Sequence, residues 1–286
     1  MHPTLATRFS HNTTRVLRAA FPLGEDQMRA VAPSVFAPCP HASRSERYTY
    51  IPTIDVLRGL RKEGFEPFMV AQGYSRVEGK SEFTKHMIRM RHVGQDTRRA
   101  EANEIILINS HDGASSYQML AGMFRFVCCN GLVIGDVVQD IRIPHKGNVQ
   151  GQVIDGAFRV LEEFEVVGEH TQAMKALPLE RGEEMALATA ALALRFGERT
   201  TDDAGIQVPA PISAAQLTEP RRFEDAGQDL WSTFQRVQEN VMRGGQAGRN
   251  AQGRRMRTRA VGSIDRGVSL NRALWMLAEE MRKLKT

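Results

Sequence analysis

The chain has 286 residues, 42% of them hydrophobic and 25% charged, with a formal net charge of +5. That is ordinary for a soluble globular protein with room for a real core, and the modest positive charge permits an anionic partner without requiring one. No apolar run reaches the ~18 residues of a membrane span, and three cysteines do not make a disulfide framework, so a cytoplasmic protein with no membrane partner is expected.

Taken in chain order, residues 1–27 are polar and lack the apolar stretch of a secretory signal. They are expected to form an arm, helical or partly disordered, with one apolar patch at residues 16–21. Pro33, Pro38 and Pro40 forbid a continuous helix, so Val35 and Phe36 should pack from an extended segment, followed by a short strand at 48–51. Thr53 is placed to cap a helix over 53–63, with Val56, Leu57 and Leu60 on its apolar face and Gly64 as its stop. Residues 65–77 and 83–93 read as strands joined by a hairpin at 78–81, and 104–109 as a third strand.

Residues 111–146 are the longest apolar-rich region of strand-like composition. They read as a β-meander in the middle of one sheet, turned at Asn130-Gly131, because both residues tolerate the positive φ of primed turns. Beyond residue 146 the period becomes helical, over 149–167, 183–196, 227–242 and 269–284. Pro209, Pro211 and Pro220 mark a linker or surface loop over 200–220. Residues 243–259 are rich in Gly and Arg, and no acid occurs between Glu239 and Asp265. This segment is expected to be a mobile basic loop, poorly ordered over 244–257. The fold class is therefore α+β: an antiparallel sheet with helices segregated on one face, plus a helical C-terminal extension. The expected division is an arm at 1–27, a core domain at 28–199 and the extension at 200–286.

Several residues invite a chemical role. By period two, Lys85, Arg89 and Arg91 share one face of the strand 83–93, outside the core, and that face would track an anionic backbone. The competing reading is a solvated outer face. Arg98 and Arg99 in the next loop, and Arg142, His145 and Lys146 at the end of the meander, would join that surface if the sheet gathers them. Tyr74 and Arg76, placed on the preceding strand, would add a stacking platform. In the basic loop Arg249, Arg254, Arg255, Arg257 and Arg259 form a second polycation. The fragment His111-Asp112-Gly113 reads as a turn rather than a catalytic site. No spacing of Cys, His, Asp or Glu matches a metal motif, no phosphate-binding glycine loop or nucleophile elbow occurs, and Cys128 and Cys129 should be reduced and metal-free.

The pieces SRSERYTYIPTIDVLRGLRKEGFEPF, TKHMIRMR, NSHDGASSYQMLAGMFRFVCCNGLVIGD and LNRALWMLAEEM resemble a plasmid- and phage-encoded bacterial family, domain of unknown function 932. The resemblance implies a mobile genetic element and a bacterial cytoplasm, and little biochemistry. Over RYTYIPTIDVLRGLRKEGFEPF the chain is also similar to the opening of single-strand annealing proteins of the eukaryotic Rad-fifty-two and phage ERF type. There, such a stretch begins a β-β-β-α core with a basic groove for DNA.

The expected function is nucleic-acid binding, with single-stranded DNA as partner and annealing without catalytic residues, cofactor or metal. Homo-oligomerisation is left open. The alternatives are a protein-interaction role, such as blocking a host defence, and a metal-dependent nuclease or hydrolase using His111, Asp112, Asp136 or Asp140.

Overall fold

The computed structural model describes residues 6–7, 15–45, 48, 50–95, 101–126, 130–134, 141–143, 149–197 and 210–286. Strands β1 (Ala6–Thr7) and β2 (Arg15–Arg18) precede helices α1 (Glu25–Val31) and α2 (Thr53–Lys62). Six strands follow: β3 (Phe65–Gln72), β4 (His86–His92), β5 (Glu101–Asn109), β6 (Tyr117–Arg125), β7 (Asn130–Val133) and β8 (Ile141–Ile143). The remainder is α3 (Val149–Ala176), α4 (Arg181–Phe196), α5 (Ala214–Thr218), α6 (Leu230–Arg243), a ribbon of β9 (Ala247–Arg249) and β10 (Arg255–Arg257), and α7 (Ile264–Lys285). The chain divides into two units, Met1–Glu165 with Gly262–Ile264, and Val166–Val261 with Asp265–Thr286.

In the first unit β1 to β7 lie in chain order, each antiparallel to its neighbour, and β8 pairs with β6 as well. The fold class is α+β, as the alternation of strand and helix periods implies. Period two sends Ile88, Met90, Ile105, Leu107, Tyr117 and Met119 to one face of the sheet. Helix α2 covers that face with Val56, Leu57 and Leu60, and α3 with Val153, Ala157, Val160 and Phe164, whose spacing is one helical stripe. Gly64, at φ +86°, stops α2 in a conformation that a side chain would strain.

The opposite face is buried by the sheet itself. Arg89 on β4 donates to the Leu132 carbonyl on β7, three strands away in the sheet order. In a flat sheet those strands would lie about 14 Å apart, beyond an arginine's reach, so the sheet must curl around this side chain.

Four local expectations change. The patch at 16–21 contributes to a strand, β2, whose Leu17 is buried against β3 with Leu17 opposite Val70. Tyr48, Tyr50 and Ile51 lie in irregular chain, because side-chain hydroxyls rather than a ladder anchor them: Tyr48 to the Ser110 carbonyl and Tyr50 to that of Ala37. The stretch 111–146 forms one side of the sheet, not its middle, and β4 is the central strand of the β1–β7 path. Asn130-Gly131 is not a turn: both residues are in β7, paired with Arg125 and Phe124. Gly131 is there because a Cβ would stand 2.5 Å from Arg89 Nη1. The guanidinium needs close backbone approach, and that glycine signal resembles a turn signal when read from sequence.

In the second unit α6 is buried along nearly its whole length. Trp231 and Phe234 pack on Trp275 of α7, with centroids 6.4 and 5.9 Å apart. Arg236 is buried too, and pairs with Glu184 of α4 at 2.7 Å.

Candidate functional site

Arg89 and Arg91 are 5% and 8% exposed, so the expectation that they form an outer face, clear of the core, is corrected. The reason is Glu104 on β5, itself fully buried. Its carboxylate accepts Arg89 Nε on one oxygen and Arg91 Nε, at 2.9 Å, on the other. Arg89 Nη2 also donates to the carbonyls of Met123 (3.1 Å) and Leu132 (2.6 Å). The trio keeps one net positive charge. Three ring faces solvate it: Arg91 lies 4.3 Å from the centroid of Phe68, 4.2 Å from Phe124 and 5.2 Å from Phe126. This cluster fastens the curled sheet, and a DNA backbone would have to open the sheet to reach it.

A second polar cluster sits where α2 meets the sheet. Thr53, expected as a cap, is the first helical residue and faces inward. His86 Nδ1 lies 3.0 Å from Ser34 Oγ and 3.3 Å from the Thr84 carbonyl, and Nε2 lies 2.9 Å from Thr53 Oγ1. A carbonyl only accepts, so the network closes with the proton on Nδ1 and the Thr53 hydroxyl donating to Nε2. Asn109 Nδ2 then donates to Thr53 Oγ1 at 3.0 Å. His111 stacks beside His86, centroids 5.2 Å apart. Asp112 takes the turn role expected of it, accepting from Ala114 N at 2.9 Å, with Gly113 at φ +77°. Burial alone would raise its carboxyl, but that backbone bond and Lys80, 3.2 Å away, outweigh it and hold the group below its ordinary value.

Complete burial, reinforced by His111, pushes the His86 imidazole down to about 3. The unfolded chain takes up a proton near 6.5 and the folded chain does not. Stability from this group is therefore fully present above that value and is lost as pH falls from about 6.5 towards 3. At pH 5 the loss is roughly 2 kcal/mol. Denaturant melts of the parent and of His86→Gln should show a shallower pH slope in the variant between pH 6.5 and 5; parallel slopes would contradict this assignment.

The basic segment 243–259 is the main surprise of the second unit. It was expected as a mobile loop and is an ordered antiparallel ribbon, with Arg255 opposite Arg249 and Arg257 opposite Ala247. Its turn is built by Asn250. Gly253 N donates to the Asn250 carbonyl at 2.9 Å, while Asn250 Oδ1 accepts from the backbone of Gln252 and Arg254. Asn at the first turn position and Gly at the fourth is the signal that the abundance of Arg obscured. At the base, Thr258 and Gln246 exchange backbone and side-chain bonds. Arg249 N donates to the Pro211 carbonyl at 3.0 Å, and Gly248 fits because a Cβ there would strike that same residue.

Directly paired residues share a face, so Arg249, Arg255 and Arg257 form one exposed cationic face, with Arg254 at the turn and Arg259 at the base also exposed. Among the described residues none of these five pairs with a carboxylate. Arg249 and Arg257 donate only to carbonyls, of Gly253 and Gly245. More cations stand at the base. Arg195 donates to the Arg259 carbonyl at 2.8 Å, and burial together with Arg266 lowers the pKa of its guanidinium. The ribbon thus presents one face of cations, with no carboxylate partner among the described residues.

The other expected site residues divide. Tyr74 and Arg76 are exposed, but β3 ends at Gln72, so they lie on the connecting segment and not on a strand. Lys85 is half-buried and precedes β4. Arg142 is in β8, its backbone opposite Gln118. Arg98, Arg99, His145, Lys146, Cys128, Cys129, Asp136 and Asp140 lie outside the described residues. Among the described residues, no group of three His, Cys, Asp or Glu is placed to hold a metal ion, and no helix is long and apolar enough to cross a membrane.

Residues 40–275 match the family described as Domain of unknown function (DUF932). Two Escherichia coli (strain K12) proteins, UPF0380 protein YafZ and UPF0380 protein YfjQ, are each 50% identical to this chain over 277 residues, covering 97% of this chain and 97% of each relative. No solved structure matches.

Proposed function

The chain belongs to the family described as Domain of unknown function (DUF932), and from that premise we propose that it binds nucleic acid, with single-stranded DNA as the partner, through the β9–β10 ribbon. The observation that carries the reading is the cross-strand pair Arg255 and Arg249, with Arg257 on the same face and no carboxylate partner among the described residues. Like charges directly opposite one another destabilise a ribbon by themselves. A phosphate between them reverses the sign of that interaction, and counterion release adds to the gain. The surface moves from the sheet face to the ribbon, because Arg89 and Arg91 are committed to Glu104.

Such a protein works by neutralising phosphate and presenting bases, so it needs neither nucleophile nor metal. Annealing as the outcome, and the setting of a mobile element, belong to the same proposal. The test is fluorescence anisotropy with labelled oligonucleotides at low salt. The parent should bind, and the triple variant Arg249→Ala, Arg255→Ala, Arg257→Ala should lose most of that binding with no fall in its thermal midpoint. A parent that binds no nucleic acid at low salt overturns the reading and moves the protein-interaction role ahead.

A further inference from the structure

Residues 219–225 cross the C-terminal end of α6, where the ribbon begins. Arg221 donates through Nε to Asn240 Oδ1 at 2.6 Å and through Nη2 to the Gly244 carbonyl. Asn240 Nδ2 in turn donates to the carbonyls of Leu217 and Glu219, both at 2.9 Å. Arg222 bridges Asp225 and Glu239, each at 2.6 Å, and the Asp225 carbonyl accepts from Arg236 at 2.6 Å. Residues on both sides of Phe223 are thus tied to α6, yet Phe223 itself is 91% exposed. Its ring meets no other ring and no cation among the described residues.

We propose that Phe223 stacks a nucleobase, so that the ribbon site takes single-stranded nucleic acid in preference to duplex. This rests on the ribbon reading above and assigns its preference for single strands to one side chain. Phe223 lies two residues from Arg221, at most roughly 7 Å along the chain, and Arg221 is bonded to the glycine that leads into the ribbon. The guanidinium of Arg221 is exposed and hydrogen-bonded to an amide oxygen and a carbonyl, with the Glu239 carboxylate offsetting part of its charge. A ring held outward on an anchored turn offers its face at little entropic cost. An unpaired base gains by stacking on it, and a base inside a duplex is stacked already. Glu224, next in the chain and exposed, disfavours phosphate here, which suits a base at this point rather than the backbone.

The experiment compares the parent, Phe223→Ala and Phe223→Trp on a labelled oligothymidylate and on a labelled duplex of equal length. Phe223→Ala should bind the single strand roughly 5- to 150-fold more weakly, since one stacked base contributes about 1–3 kcal/mol. Its duplex affinity should be unchanged. Phe223→Trp should retain single-strand affinity, and its new exposed indole should be quenched when the strand binds. Parent-like single-strand binding by Phe223→Ala, or equal parent affinity for single strand and duplex, overturns the inference and leaves the ribbon standing as a nucleic-acid-binding surface. A parent that binds neither probe overturns both.

Discussion

Replacing Glu104 by Ala should lower unfolding stability by about 3–5 kcal/mol, because it leaves two buried guanidiniums without their shared carboxylate. Arg89 would keep its bonds to the Met123 and Leu132 carbonyls, and Arg91 its three ring faces. Those contacts solvate a cation only partly, and the variant would remove the one carboxylate that both guanidiniums share. The cost is a large share of a typical total of about 5–15 kcal/mol, so Glu104→Ala should melt far below the parent or fail to accumulate folded. Glu104→Gln should fall between the two: its amide oxygen can accept one guanidinium, and its charge is gone. Replacing all three residues together with apolar side chains of similar volume should recover much of the loss. Urea melts read the difference directly. A Glu104→Ala midpoint within error of the parent's would show that the cluster does not hold the sheet.

The same cluster shows where sequence reasoning stopped. The strand at β4 and its two faces were legible, because period two needs only neighbouring residues. The burial of its basic face was not, because it depends on a single acid in another strand and on a curl that brings β7 over β4. Glu104, at the start of an otherwise apolar run, was the available signal: an acid in a strand buried on both faces calls for a cation. Gly131 misled for the related reason that a glycine serving close approach and a glycine serving a turn carry the same letter.

In the second unit α4, α6 and α7 were legible from their apolar stripes, whereas α5, five residues inside the proline-marked stretch 200–220, was too short to show one. The ribbon was not, since its strands are only Ala-Gly-Arg and Arg-Met-Arg, which gives no apolar period. Phe223 carried no pattern at all: a single aromatic in a polar loop acquires meaning only when its neighbours are seen to be anchored.

The second large effect concerns the ribbon. Each phosphate contact on a single strand adds about 0.7 to the slope of log affinity against log salt, so removing Arg249, Arg255 and Arg257 together should flatten that slope by about 2 if each makes one contact. Between 50 and 200 mM salt the parent's advantage over the triple variant should then shrink by roughly 16-fold. The exposed side chains touch only carbonyls of their own ribbon, so the fold should be retained. Substitution by Lys at the same three positions should keep most of the slope, since the charge remains, and lose some affinity with the bidentate geometry. A triple alanine variant with the parent's slope would show that these arginines are only solvated surface.

The most direct measurement is to locate the nucleic acid on the protein. A single-stranded oligonucleotide carrying photoreactive bases would be crosslinked to the full chain at low salt and the attached peptides identified by mass spectrometry. The account predicts crosslinks concentrated in residues 221–223 and 245–259, and their loss in the triple alanine variant. Crosslinks confined to the β3–β4 region around Tyr74, Arg76 and Lys85, with none on the ribbon, would contradict it.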